Sequence, residues 1–525
     1  MLFTGAITMD VPVEEEVQVE AVSESISITW LLIYTGLALL IVNQVYNLTH
    51  FWRLGIKGPL PLPFLGNYLS MGKGFIPVYD KWSKKYGKFF GVFFGKAPAL
   101  VISDVDMARH ILIKDFPSFQ SRSLKSFSIP YMADSILEAS GEVWKRGRSY
   151  ISPTFSGSKM KQMIPAMNSK GDILIEILDG KSKEGRSFDS KSVFGPYVLD
   201  IVACCAYGLE SDCQRNPDDA FLHHTKKLIE IDWKNPGLVL RMLLPFLTPL
   251  LNKFSLFDII PKKSMDFFAD CVRKAIELRT ESGGTGKDFI QLMMDAAETG
   301  GDDSVKDGQK KKIPLTQAEL IGQGLLFFFA GYETVSTTMA FAAYAIAKYP
   351  DVQKRLQEEV DEMTSEGEPV SYDAVFKMEY LDKVWCESQR LWPIGFLLER
   401  MCNQELTFNG RTIPNGQYLQ VNVFDIHHNP EHWTDPHTFN PENFSKEAKE
   451  SRHPCAFLPF GAGPRQCVAM RFAILEGKMG LIRMMQKYSF ELDAKTPDLS
   501  DNSHFDSASS LYPSKGIHLR AVPRE

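Results

Sequence analysis

The chain has 525 residues, a formal net charge of -6 and a hydrophobic fraction of 44%, which together suit an ordinary globular protein of one large or several smaller domains. The acidic charge balance gives no sign of a nucleic-acid-binding surface, so no nucleic-acid partner is expected. The 8 cysteines include no CxxC pair, which argues against a zinc ribbon or a thioredoxin-type redox site.

The N-terminal region predicts a single membrane span. No Lys, Arg, Asp or Glu occurs between Ser25 and Trp52, and residues 26–46 supply the ~20 apolar residues that cross a bilayer. Residues 1–25 form an acidic leader, while Arg53 and Lys57 follow the span. The positive-inside rule therefore predicts a lumenal N-terminus and a cytosolic remainder. A buried core helix is the alternative interpretation.

The next segment, residues 47–67, predicts a stiff hinge between anchor and body. Pro59, Pro61 and Pro63 alternate with leucines and exclude a helix there. After the hinge, the β-branched and aromatic residues of Gly87–Asp104 predict strands. From about Asp106 onward, helix signals dominate.

A long apolar helix is predicted in the middle of the chain. Thr316 and Glu319 form a capping box, and the helix they begin runs for roughly thirty residues and ends by Pro350. Such a helix either spans a membrane or forms the centre of a large core. The polar residues Gln323 and Glu333 favour the core.

Three other segments carry weaker signals. The apolar stretch Leu238–Pro261 is interrupted by two prolines. It is equally consistent with a segment that dips into the membrane surface and with a segment packed in the core. The charged patch Glu298–Lys312 predicts a loop. Two Asn-Gly pairs within Leu406–Asn422 predict a β-hairpin meander.

The cysteine loop, FLPFGAGPRQCVAM (Phe457–Met470), places Cys467 just before a predicted helix. The positive helix end and free N–H groups are expected to lower the pKa of the thiol. Gly461 and Gly463 let the backbone approach something flat or bulky. This favours a thiolate ligand over a core thiol, a disulfide or a nucleophile, for which no histidine base is evident. A single thiolate cannot hold zinc without partners, but it can hold haem iron.

Residues Phe460–Cys467 resemble the haem-binding signature of the cytochrome P-450 monooxygenases. The rest of the family's pattern follows in the same order: Trp144–Arg148 resembles its Trp-x-x-x-Arg, Ala330–Thr334 its oxygen-activation motif, and Glu387–Arg390 its Glu-x-x-Arg. The chain is most similar to family three, the microsomal drug- and xenobiotic-metabolising branch. The resemblance extends from the anchor to the C-terminus.

The resemblance implies a mainly α fold with a long central helix and a small β-rich part over residues 68–525, behind an N-terminal transmembrane helix. It implies haem b with Cys467 as its axial ligand. The residues implied to contact the haem are Phe460, Gly461, Trp144, Arg148, Arg400, Arg465 and Arg122. The departure at Ala469, where the family has glycine, is expected to leave haem binding intact.

The resemblance implies that Glu333 and Thr334 deliver protons for oxygen activation. It also implies that Glu387 and Arg390 form a structural ion pair behind the haem. The family's third member of that group is an arginine, where this chain has Asn443. The ion pair of Glu387 and Arg390 is therefore expected to be weaker, or to be completed by another group. The implied substrate contacts are apolar and lie near Ser135 and at Phe327, Phe329, Ala330, Ile394, Phe396 and Leu397.

The implied activity is an NADPH- and O2-dependent oxidation of a lipophilic substrate such as a xenobiotic, steroid or fatty acid, at the endoplasmic reticulum membrane. No dinucleotide-binding fingerprint is present, so the electrons are expected to come from another protein. The resemblance implies NADPH–cytochrome P-450 reductase as that protein, sometimes with cytochrome b5. Lys145 and Arg146 are candidates for docking an acidic partner, although an ordinary solvated charge run is the default interpretation. The alternatives are a haem-thiolate isomerase or dehydratase of the same fold, and a non-enzymatic haem- or lipid-binding membrane protein.

Overall fold

A computed structural model describes residues 14–72, 74–122, 129–229, 235–244, 247, 250–251, 260–281, 283, 288–299, 315–505 and 511–524. Its α-helices span Glu14–Leu48, His50–Arg53, Tyr68–Met71, Phe75–Tyr86, Val105–Arg109, Gly141–Ile151, Gly157–Glu184, Ser190–Tyr207, Ala220–Ile229, Pro236–Leu243, Lys262–Glu281, Phe289–Thr299, Gln317–Lys348, Pro350–Met363, Tyr372–Lys377, Glu379–Leu391, Val423–His427, Lys446–Ser451 and Met470–Lys487. Its strands are β1 (Phe89–Phe94), β2 (Ala97–Ile102), β3 (Phe188–Asp189), β4 (Leu397–Met401), β5 (Leu406–Phe408), β6 (Arg411–Ile413), β7 (Tyr418–Asn422), β8 (Tyr488–Leu492) and β9 (His518–Pro523). The predicted mainly α fold with a small β-rich part is confirmed.

The strands form three small sheets, with the orders β1-β2-β7-β4, β3-β9-β8 and β5-β6. The strands predicted in Gly87–Asp104 are β1 and β2, which pair antiparallel. In the same sheet β7 pairs parallel with β2 and antiparallel with β4. This sheet carries Arg400, whose partner in the ladder is Leu419.

The predicted meander is only partly right. Asn409 and Gly410 have φ of 47° and 73°, the positive values that a tight two-residue hairpin requires, and they join β5 to β6. The next strand does not continue that hairpin. All five residues of β7 are buried, because this strand lies between β2 and β4 in the four-stranded sheet.

The central helix (Gln317–Lys348) begins at the predicted capping box. Glu319 N–H donates to Thr316 Oγ1 at 3.2 Å, and Thr316 N–H donates to Glu319 Oε2 at 2.8 Å. The helix packs closely on the helix Ser190–Tyr207, where a Cβ on Gly331 would lie 2.9 Å from Val202. In its most apolar window 67% of the helix is buried. It is therefore a core helix, as predicted.

The N-terminal helix (Glu14–Leu48) is longer than the predicted span of residues 26–46. Its segment Ile28–Leu48 is long and apolar enough to cross a membrane, and only 6% of its most apolar window is buried. A helix that exposes so many apolar side chains suits a bilayer rather than water.

The segment predicted as a hinge, residues 47–67, is non-helical from Gly55 onward but is not free of the body. Phe51 is 4% exposed and its ring centroid lies 5.0 Å from that of Phe93 in β1. Gly91 N–H donates to Lys57 O at 2.9 Å. The segment therefore lies along the edge of the four-stranded sheet and fixes where the anchor joins the body.

Two predicted features lie largely outside the described residues. Of the apolar stretch Leu238–Pro261, the structure describes the end of the helix Pro236–Leu243 and a few later residues. Of the charged patch Glu298–Lys312, it describes only the first two residues.

The contact between anchor and body can be tested with Gly91→Ala. A Cβ at Gly91 would lie 2.2 Å from the Phe51 ring, so overpacking is expected to destabilise this junction by about 1–3 kcal/mol. Limited proteolysis should then cleave faster around Arg53 and Lys57. The matched control is Gly180→Ala, whose Cβ would meet nothing within 4 Å; equal cleavage of the two variants would contradict the packing described.

Candidate active site

A cavity of about 440 Å³ lies between the central helix and the cysteine loop. Its walls are mostly apolar, and its polar lining includes a thiol, a threonine hydroxyl and three guanidinium groups. The central helix supplies the threonine Thr334, the helix Gly141–Ile151 supplies Arg148, and the cysteine loop supplies both Cys467 and Arg465, because these three elements meet here. The cavity therefore brings together most of the site residues predicted from the sequence.

Cys467 lies in the cavity wall with its side chain open to the cavity. Its N–H donates to Phe460 O at 2.8 Å, which closes the cysteine loop, and the following helix begins at Met470. All eight cysteines are free thiols, which removes the disulfide interpretation. Among the described residues no histidine lines the cavity, so the nucleophile interpretation has no base.

Burial raises the pKa of the Cys467 thiol, while the N–H of Ala469 and the guanidinium groups of Arg148 and Arg122 act in the opposite direction. The expected effect of the N–H groups is present, but loss of hydration outweighs it and the pKa is raised overall. A thiolate at this position needs a stronger cationic partner, such as a metal ion.

The two glycines of the cysteine loop have different surroundings. Both have positive φ, 70° at Gly461 and 72° at Gly463. Gly461 lines the cavity, as predicted. A Cβ on Gly463 would lie 1.9 Å from Leu112 O, so this glycine allows the loop to pack against another backbone segment and not against a group in the cavity.

Four of the predicted haem contacts lie close to the cysteine loop in the cavity wall. Arg122, Arg148, Arg465 and Trp144 all line the cavity, and the Arg465 guanidinium lies 4.7 Å from the Trp144 ring centroid. Arg148 donates to Gln466 O at 2.9 Å, and Arg465 donates to Ile136 O at 3.2 Å. Arg122 also donates to the backbone oxygen of Arg465. The arginines thus hold the cysteine loop.

Arg465 and Arg400, which lies outside the cavity lining, are both buried and are not fully balanced by negative charge. Burial lowers the pKa of Arg400 and of Arg465, and the positive charge of Arg122 lowers both further. Glu399 acts on Arg400 in the opposite direction. The Nε atoms of Arg400 and Arg465 are buried and have no hydrogen-bond partner. A buried cationic cluster of this kind suits an anionic ligand, and the two propionates of a haem fit it.

The central helix separates the two residues of the predicted proton-delivery pair. Thr334 lines the cavity, and its hydroxyl donates to Ala330 O at 2.6 Å. Glu333 is not part of the lining; its carboxylate lies 2.5 Å from Lys191 Nζ and accepts from Thr337 Oγ1 at 3.4 Å. Adjacent residues on a helix point about 100° apart, so only the threonine faces the cavity directly.

Behind the cysteine loop lies the buried ion pair of Glu387 and Arg390, both fully buried. Arg390 Nε and Nη2 donate to the two Glu387 oxygens at 2.7 Å each. Asn443 Nδ2 and Asn440 N–H also donate to Glu387 Oε1, at 3.0 and 2.8 Å. The amide of Asn443 therefore keeps a hydrogen bond to the carboxylate but adds no charge.

The predicted substrate contacts divide into two groups. Those that line the cavity are Phe327, Ala330 and Ile394. The predicted loop near Ser135 also reaches the lining, through Ile136 and Leu137, although Ser135 itself does not. Those that lie outside the lining are Phe329, Phe396 and Leu397. Phe396 instead packs on Phe75, with the ring centroids 6.1 Å apart, and the Ser135 hydroxyl donates to Met132 O at 2.7 Å.

Sequence reasoning missed several lining residues. Phe155, Phe289 and Phe472 come from three separate elements, and their rings meet at the cavity wall with centroids 4.4 to 6.2 Å apart. Thr338 lies one turn beyond Thr334 on the same face, and helical periodicity alone could have identified it. The phenylalanines carry no local signal, because only the tertiary fold brings them together.

The predicted docking charges are only partly available. Arg146 pairs with Glu319, whose side chain is 4% exposed, and this ion pair ties the helix Gly141–Ile151 to the start of the central helix. Arg146 is therefore not the free solvated charge that its sequence suggests, because it forms a structural ion pair. Lys145 remains exposed and pairs with Glu142 at 2.7 Å.

Comparison with known proteins decides the family. A family model described as Cytochrome P450 matches residues 56–520. The chain is a cytochrome P450. It is 38% identical to cytochrome P450 3A41 of Mus musculus over 500 residues, which are 95% of this chain and 97% of that protein. Cytochrome P450 3A5 of Homo sapiens is 37% identical over 498 residues, with the same coverage.

Membership in the cytochrome P450 family confirms the resemblance found in the sequence and makes the protein a monooxygenase, an oxidoreductase that incorporates oxygen. The family carries haem with a cysteine thiolate ligand and uses O2. Ala469, the departure beside the cysteine, has φ of -92° and ψ of 17°. These values, with a negative φ, lie in the bridge region that residues other than glycine can adopt, so the backbone here does not require glycine.

The buried ion pair gives a direct test of the site's support. Glu387→Gln is expected to leave Arg390 buried without its counter-charge, at a cost of about 3–5 kcal/mol, so that little protein with bound haem is recovered. The control is Glu442→Gln, which removes a carboxylate that pairs with Arg355 and Lys383 at the surface. Haem content should be measured for both; equal recovery would show that the ion pair is not needed.

Proposed function

We propose that this cytochrome P450 is a membrane-anchored monooxygenase that oxidises a lipophilic substrate such as a xenobiotic, a steroid or a fatty acid. Its electrons come from NADPH through a cytochrome P-450 reductase, with cytochrome b5 as a further donor. The observation that carries the proposal is the cavity in which Cys467 and Thr334 share one apolar space beside a cluster of arginines. Bound haem would supply the activation of O2 and the transfer of one oxygen atom to substrate.

In this proposal Cys467 holds the haem iron and the arginines hold the propionates. Arg122, Arg148 and Arg465 line the cavity, and Arg400 lies close enough to Arg122 and Arg465 for their charges to lower its pKa. Trp144 and Phe460 add flat apolar contacts. Because the same arginines donate to carbonyls of the cysteine loop, haem binding and loop position are coupled.

Thr334 is proposed to hold a proton for oxygen activation at the cavity surface. Its hydroxyl is already oriented by the bond to Ala330 O. Glu333 is proposed to supply that proton from the neighbouring face of the helix, about 100° away, where Lys191 holds its carboxylate. Delivery therefore requires the Glu333 side chain, or water beside it, to bridge from Lys191 toward Thr334.

The apolar lining is the basis for a lipophilic substrate. Phe155, Phe289, Phe327 and Ile394 line the cavity, and together they offer contacts that favour transfer of an apolar molecule from water or lipid. The exposed apolar helix Ile28–Leu48 supports attachment to the endoplasmic reticulum membrane, with the N-terminus lumenal and the haem domain cytosolic. Lipophilic substrates concentrate in that membrane.

The proton-delivery role can be tested with Thr334→Ala. With reductase and NADPH, the fraction of consumed NADPH that yields product is expected to fall by a factor of up to about 100, because the oriented hydroxyl is lost. Ser336→Ala is the matched control, since Ser336 lies on the same helix, makes the same bond to a carbonyl four residues earlier, and lies outside the lining.

Product assays should accompany NADPH consumption. Product that forms at the full rate without NADPH and reductase would contradict a monooxygenase and indicate an isomerase or dehydratase. Binding without any product, under all conditions tried with a broad lipophilic panel, would favour the non-enzymatic alternative.

A further inference from the structure

A second guanidinium group lies close to the buried ion pair. Arg452, which follows the helix Lys446–Ser451, is partly buried, and its Nη2 donates to the backbone oxygen of Asn443. The side-chain amide of Asn443 in turn donates to Glu387 Oε1 at 3.0 Å. A single residue, uncharged itself, therefore stands between the Arg452 guanidinium and the Glu387 carboxylate.

The two arginines also share one aromatic ring. The Arg452 guanidinium lies 3.7 Å from the ring centroid of Trp433, and the Arg390 guanidinium lies 5.0 Å from the same centroid. Trp433 is 1% exposed, so these cation–π contacts are shielded from water. Arg452 also lies 5.3 Å from the Phe444 ring centroid. Its position is thus set by several contacts and not by a single flexible bond.

Electrostatics place Arg452 within reach of the buried pair. Burial lowers the pKa of the Arg452 guanidinium, attraction to Glu387 raises it, and repulsion from Arg390 lowers it again. The carboxylate of Glu387 therefore attracts two guanidinium groups. Arg390 contacts it directly, and Arg452 lies beyond Asn443.

A chain of contacts leads from this pair to the cysteine loop. His427 Nδ1 donates to Arg390 O at 3.2 Å, while its Nε2 accepts from the N–H of Leu458, the second residue of the loop, at 2.8 Å. Phe457, the first residue of the loop, stacks on the His427 ring at 5.3 Å and packs edge-on against Trp433 at 6.2 Å. Trp433 thus contacts Arg390, Arg452 and the start of the loop.

We propose that Arg452 is a positioning residue for the cysteine ligand: it supplies, from nine residues further along the chain, the positive charge that Asn443 does not bring to Glu387. Through Trp433 and Phe457 it holds the start of the cysteine loop, and so the position of Cys467. This inference rests on Cys467 as the haem ligand, the role given to it under the proposed function.

The test uses the full-length protein with bound haem and the variant Arg452→Met, which keeps most of the side-chain volume and removes the charge. The ferrous carbon-monoxide spectrum reports whether the sulfur still ligates iron as thiolate. On gentle warming, Arg452→Met should lose the red-shifted thiolate Soret band about tenfold faster than the parent, as expected for loss of one charge-assisted interaction. Circular dichroism at the same temperature should show unchanged helix content.

Two further variants make the result specific. Arg355→Met is the matched control, because Arg355 pairs with Glu442, the neighbour of Asn443, at the surface and lies 4.0 Å from the Tyr380 ring centroid; it should behave as the parent does. Asn443→Arg, added to Arg452→Met, should restore the slow rate, since it places a guanidinium where the amide already meets Glu387.

Each outcome decides the proposal. If Arg452→Met loses the thiolate Soret band at the same rate as Arg355→Met, the proposal is overturned. If helix content falls together with the band, the variant is generally destabilised, and the proposal is overturned as well. If Arg452→Met fails to bind haem at all, recovery by Asn443→Arg supports the proposal and failure to recover overturns it. A parent protein with haem but no thiolate band would instead refute the role of Cys467.

Discussion

The charges buried around the cavity have to be balanced, and the rest of the site depends on how this is done. Arg122, Arg148 and Arg465 bring positive charge to a small apolar space, Arg400 lies near them outside the lining, and burial opposes ionisation of the Cys467 thiol. Neither the thiol nor the guanidinium groups are well stabilised in this state. A bound haem would answer both needs, because its iron would hold the sulfur as thiolate and its propionates would meet the arginines.

The same arginines form part of the scaffold. Arg148 and Arg465 donate to backbone carbonyls of the cysteine loop and of the segment near Ile136, so cofactor binding and chain packing share side chains. Behind the loop, Glu387 and Arg390 are fully buried and connect through His427 to Leu458. Local charge balance on both sides of the loop therefore fixes the position of one sulfur atom.

Much of this arrangement could be predicted from the sequence. The capping box at Thr316 and the length of the apolar pattern gave the central helix, and the cysteine loop with its resemblance gave the family. These features are local or follow a fixed spacing. The aromatic wall of Phe155, Phe289 and Phe472 could not be predicted, because it forms only when distant elements pack together.

The incorrect expectations have a common cause. The pKa of Cys467 was predicted from the nearby helix end, but burial by distant segments outweighs that effect. Arg146 reads as a surface charge until the fold brings Glu319 to it. In each case a tertiary partner decides the outcome, and sequence spacing contains no information about that partner.

Ligation of the haem iron by the Cys467 thiolate is tested most directly by the absorption spectrum of the reduced, carbon-monoxide-bound protein. The purified full-length chain should show a strongly red-shifted Soret band, and Cys467→Ser should lose it. Haem binding without that band, together with an unchanged spectrum in Cys467→Ser, would show that Cys467 is not the ligand.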